Sequence, residues 1–224
     1  MKTITAMLDP DDPNLKKETD AVPVSLSVQE FDSDYSGIES IEDINDKLIN
    51  YLEKIIRKSY EYKQYVGYLK SELDITSCAL IPTLNIKDLG ISLEFHHYPF
   101  TLYDIVNIIT KKYLNLKKDD EKVSMFDIMQ MVMKEHYDGN IGLVPLSKSM
   151  HEMAHNNSVK IPITAVYGNF GKFINKYREY IDPDLMSKVT LNMAITNEEA
   201  KEFNTKIDKN VLHYDVKYNK KDEE

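Results

Sequence analysis

A single cysteine, Cys78, stands in the whole chain, so no internal disulfide can form and no cysteine-built zinc knuckle can exist. Long apolar runs are missing too. No stretch approaches the roughly 20 unbroken apolar residues that a spanning helix needs, and the opening MKTITAMLDPDDPNLKKETD lacks the apolar core of a signal peptide. These absences predict a soluble protein that acts where it is made, with no membrane partner. Positive charge is short: the formal net charge is −9 at pH 7, which counts against a nucleic-acid partner because phosphate contacts supply most of the non-specific affinity. Part of the deficit sits at the ends. Residues 1–45 hold eleven acidic side chains against three lysines, and the chain closes on Asp222-Glu223-Glu224. There is no repeat of fixed period, and GNFGKFINKY lacks the Gly-Lys-Ser/Thr ending of a phosphate loop.

What is present suffices for a folded domain, since 224 residues at 42% apolar content can bury a core and still leave loose ends. Residues 1–38 are rich in Asp, Pro and Ser and are expected to be a mostly disordered acidic arm, in which Val22–Val28 could dock. From Ser40 the pattern changes. Ser40 and Asp43 have capping-box spacing, and Ile44, Leu48, Tyr51, Leu52, Ile55 and Ile56 recur at helical intervals, predicting one long helix over about 40–72 in a segment bounded at 39–75. TSCALIPT (76–83) and ISLEFH (91–96) flank the turn-like NIKDLG and predict a hairpin ending on two histidines. Thr101 should cap a helix to about Tyr113, and 123–136 predicts another beyond the charged loop 117–122. A strand at 141–146 then leads to Ser147, a good N-cap for a helix over 148–156. Residues 161–212 begin with the end of a strand-like VKIPITAVYG and continue as helices at about 169–180, from Pro183 and from Asn197. The polar tail 213–224 is expected to fray.

Four of the six histidines form two tight groups, His96-His97 at a predicted strand end and His151/His155 four apart on a predicted helix. Residues at i and i+4 share a helical face, so both imidazoles can reach one ion. A third imidazole from a strand end would complete a three-histidine site with open positions, an arrangement suited to a catalytic metal. Adjacent histidines on an extended strand point to opposite faces.

The pieces LEFHHYP (93–99) and NIGLVPLSKSMHEMAHNN (140–157) resemble the HNH, or His-Me finger, nucleases, in the branch where two adjacent histidines end the first strand. The resemblance implies an α+β fold: a central ββα-metal (HNH-like) finger at 76–160, with inserted and flanking helices. It implies that His96, His151 and His155 bind a divalent ion, zinc or magnesium, and that His97 is the general base of DNA phosphodiester hydrolysis. The position where that family carries its orienting asparagine is Gly142 here, and the nearest asparagine is Asn140, taken as the second catalytic residue. An imidazole near neutral pKa could take a proton from water while a divalent ion stabilised the leaving oxygen. Histidine ligands favour zinc or another transition metal over magnesium. The resemblance further implies a phage-encoded product working in the bacterial host cytoplasm on DNA, with the acidic arm free to engage a protein partner.

Two other functions fit the same residues. The fold could bind zinc for structure or regulation without nuclease activity. Alternatively, His151-Glu152-Met153-Ala154-His155 matches the H-E-x-x-H pattern of zinc proteases, with Glu152 as base and Glu198 or Glu199 as third ligand. That reading leaves His96-His97 unexplained. The tyrosines of SYEYKQYVGYLK (59–70) and the methionines at 125, 129, 131 and 133 are expected to pack a core rather than bind bases. Lys111, Lys112, Lys172, Lys176 and Arg178 could line a nucleic-acid path, although helix-surface lysines are usually ordinary solvated charge.

Overall fold

A computed structural model describes residues 44, 46–85, 92–117 and 123–204. The expectations for the arm at 1–38, the NIKDLG turn after Asn85, the loop beyond 117 and the tail at 213–224 lie outside those residues.

The long helix expected over 40–72 is two helices, α1 (Asp46–Lys58) and α2 (Tyr60–Ser71). Ser59 separates them. Its backbone is extended (φ −62°, ψ 153°), and its hydroxyl accepts from the Tyr62 amide at 3.1 Å while donating to the Ile56 carbonyl at 2.8 Å. Apolar periodicity runs through such a break, because the inward-facing residues of both helices share one core. Leu48, Ile49, Leu52 and Ile56 of α1, and Tyr62, Tyr65 and Leu69 of α2, are buried in the core. The tyrosine-rich stretch is therefore packing surface, as expected.

Two further helices, α3 (Leu102–Leu116) and α4 (Met125–Tyr137), each open on a reciprocal capping box, Thr101 with Asp104 and Ser124 with Asp127. They pack on each other and on α1. Met125 and Met133 are buried, and Met129 and Met131 lean on the same core.

Among the described residues the expected hairpin between 76–83 and 91–96 is not formed. Strand β1 (Leu93–His97) pairs instead with β2 (Leu143–Ser147), antiparallel, with Phe95 opposite Pro145 and His96 opposite Val144. All five β2 positions are buried. Residues 76–85 contribute one bridge, Ser77 to Asn85, and a 2.8 Å hydrogen bond from the Ala79 amide to the Pro145 carbonyl. On that same edge of β2, Leu143 and Tyr167 exchange both backbone bonds, at 2.9 and 2.8 Å. The polar groups of Leu143 and Pro145 thus point away from β1, and proline's missing N–H costs the β1–β2 ladder nothing. The strand expected in VKIPITAVYG reduces to that Leu143–Tyr167 bridge and a 3-10 turn, Ile163–Ala165, entered from Pro162.

Helix α5 (Lys148–His155) starts at Ser147, whose hydroxyl accepts from the Met150 amide at 3.4 Å, and packs on both strands. Beyond it lie α6 (Phe170–Tyr177), which ends in a 3-10 turn at Arg178–Tyr180, then α7 (Pro183–Met193) and α8 (Asn197–Asn204). The fold class is α+β, as expected: a two-stranded sheet and α5 set among helices.

Candidate metal centre

Strand alternation sorts the β1 side chains. Leu93, Phe95 and His97 face the core, while Glu94 and His96 lie on the half-buried face beside α5. The α5 spacing puts His151 and His155 on one helical face, and the three imidazoles meet. Ring centroids are 5.2 Å apart for His96 and His151, 4.9 Å for His96 and His155, and 4.5 Å for His151 and His155. Each residue offers one potential ligand nitrogen such that all three lie within 4.8 Å of one another. The Nε2 atoms of His151 and His155 are 3.2 Å apart.

Glu94 fixes one of these rings. Its Oε2 lies 2.5 Å from Nδ1 of His151, so Nδ1–H donates to the carboxylate and the Nε2 lone pair is turned toward His155. Burial, then the neighbouring His151 and His155, hold the His96 imidazole down to about 3. Burial also lowers His151, against the opposing pull of Glu94. His155 is exposed at the outer edge of the cluster.

His97 points the other way. It is only 4% exposed, its Nε2 lies 3.0 Å from Nε2 of the fully buried His136, and its ring stacks on Tyr62 at 6.1 Å. His136 donates from Nδ1 to the Val132 carbonyl at 2.7 Å, leaving Nε2 to accept, so His97 is the Nε2–H donor of the pair. Its Nδ1 is then a buried lone pair without a partner among the described residues. Burial, followed by the His136 charge, holds His97 well below its ordinary pKa. An imidazole placed this way cannot take a proton from water at the His96 face, so the general base expected at His97 is not there.

Asn140 is not an orienting residue for His97 either. Its side-chain amide donates at 2.8 Å to Oε2 of Glu135, a fully buried carboxylate that also accepts from Tyr177 at 3.0 Å and pairs with Lys176. An asparagine at 142 is sterically barred, because a Cβ there would lie 2.0 Å from the Tyr98 carbonyl oxygen. The protease alternative loses its third ligand: the cluster completed by His151 and His155 contains His96, whereas Glu199 accepts from Thr196 as a helix-capping carboxylate. The supposed nucleic-acid path is largely internal ties. Lys111 pairs with Asp182 at 2.9 Å, Lys112 donates to the Lys176 carbonyl and lies over the Tyr177 ring, and Lys176 is held by Glu135.

Sequence reasoning missed two participants. Glu94 shares the His96 face by its i−2 position, a signal the alternation carries. His136 continues the core row Ile128, Val132, His136 at i+4 steps, and was overlooked because it lies in no histidine pair.

These observations define an α+β protein with a buried imidazole pair on one side of a strand and a histidine-only candidate metal centre on the other. The chain belongs to the Bacteriophage G278-like virion protein family, whose model matches residues 4–224. No curated protein and no solved structure matches it. The phage origin implied by the sequence resemblance stands. The nuclease does not: the match points to a structural protein of the phage particle, and the expectations of DNA hydrolysis and of a DNA-cleaving enzyme are corrected accordingly.

Proposed function

We propose that this chain is a non-enzymatic structural component of the phage particle whose neighbours are other proteins rather than DNA. The observation that carries this reading is the family match across residues 4–224. Three features support it. The imidazole beside the metal-type cluster is sealed between Tyr62 and His136, which serves packing and not proton transfer. The net charge of −9 repels a phosphate backbone. Lysines that could offset it are engaged within the fold, Lys111 with Asp182 and Lys176 with Glu135. The acidic segment at 1–45 is suited to a basic protein surface.

Quantitative mass spectrometry of gradient-purified particles is the test. The protein should be present at a fixed copy number per particle and should survive high-salt washing and nuclease treatment. Its absence from purified particles, together with presence in the infected-cell lysate, would refute the reading. A plasmid-nicking assay with Zn²⁺, Mg²⁺ or Mn²⁺ should give no cleavage above buffer.

A further inference from the structure

We propose that His96, His151 and His155 hold one divalent transition-metal ion of the zinc type, that Glu94 is the outer carboxylate orienting His151, and that the ion staples β1 to α5. The inference is independent of where the protein resides. It rests on three features of the cluster taken together.

The first is spacing. Zinc binds imidazole nitrogen at about 2.0–2.1 Å, so two ligands of a tetrahedral ion sit about 3.3 Å apart. The His151 and His155 Nε2 atoms are 3.2 Å apart, and the third nitrogen lies within 4.8 Å of both.

The second is the outer partner. A ligating histidine characteristically gives its other N–H to a carboxylate, which fixes the tautomer and raises the basicity of the ligating nitrogen. Glu94 stands in that relation to His151 at 2.5 Å, and it reaches there because it is two residues before His96 on the same strand face. One strand thus supplies both a ligand and the partner of another ligand.

Third, the donor set is entirely imidazole. Oxygen-seeking magnesium is disfavoured, and zinc, cobalt, nickel or copper are favoured. His155, the outermost of the three, is exposed to water.

The test uses the untagged full-length chain, stripped with chelator and titrated with Zn²⁺ and, separately, Co²⁺. One equivalent of Zn²⁺ should bind, the melting temperature should rise by several degrees with saturation, and Mg²⁺ at equal concentration should leave it unmoved. Co²⁺ should give the strong visible absorption of a four- or five-coordinate site. His155→Ala removes an exposed ligand and leaves the core untouched, and it should weaken Zn²⁺ binding by roughly a hundredfold or more. Glu94→Gln should keep the one-to-one stoichiometry and weaken affinity by roughly 10–100-fold. His213→Ala should change nothing. The proposal is overturned if Zn²⁺ binds with no defined stoichiometry, if His155→Ala binds like the parent, or if Mg²⁺ stabilises the protein as well as Zn²⁺. Loss of the Co²⁺ spectrum in His213→Ala alone would move the site elsewhere and overturn it too.

Discussion

His96 and His97 are neighbours in sequence and belong to different environments. One faces a cluster of donors at the surface and the other a hydrogen-bonded partner in the core. The buried pair makes the protein acid-sensitive in a defined direction. His136 is held down to about 4 by burial, whereas an unfolded histidine titrates near 6.5. Above pH 6.5 both states keep it neutral. Below that, the unfolded chain takes up a proton that the folded core refuses, so stability falls as pH drops from about 6.5 toward 4, by up to about 1.4 kcal/mol per pH unit from this one group. Urea unfolding in chelator between pH 7.5 and 4.5 should show a slope of that sign, and His136→Asn should lessen it by this group's share; equal slopes would contradict the assignment. Gly142 matters for a steric reason. The 2.0 Å approach of a Cβ to the Tyr98 carbonyl oxygen means that Gly142→Ala must push backbone from backbone. A loss of about 2–4 kcal/mol is expected in the same unfolding assay.

At the level of elements, the helices were legible because their signals are local. Thr101 announces α3, Ser147 announces α5, and apolar periodicity marks the buried faces of α1 and α4. Ser59 was read through because its neighbours stay in phase across the break. Ser59→Ala should cost about 1 kcal/mol, since it removes the acceptor for the Tyr62 amide; thermal melts of the variant would settle this. Strand pairing was illegible for the opposite reason. Alternation in LEFHH tells which residues share a face, but not whether the partner strand lies just before it or far along the chain. The three-imidazole group survived this error because its geometry depends on the β1 face and the α5 spacing. The role given to His97 did not survive, because it depended on what packs behind the strand, and that is supplied by Tyr62 and His136 from two distant helices.

Across the whole molecule, buried polar ties join segments that hydrophobic burial alone would not orient. Glu135 collects Asn140, Lys176 and Tyr177, fastening α4, the turn before β2 and α6 at one carboxylate. Glu135→Ala leaves the Asn140 amide and the Tyr177 hydroxyl buried without their acceptor, and a loss of about 2–4 kcal/mol is expected from denaturant unfolding. A negligible loss would mean that water replaces the carboxylate. The two strands are separated in the chain by α3 and α4, so their pairing closes a long loop, and that closure is entropically slow. The helical pair is formed by local contacts and can serve as the splint that brings the strand ends within reach. Because His96 stands on the first strand and His151 and His155 follow the second, the imidazole triad exists only once the two strands are paired. In stopped-flow refolding, chromophoric metal uptake would therefore mark the arrival of native topology, lagging behind the fast rise of helical circular dichroism.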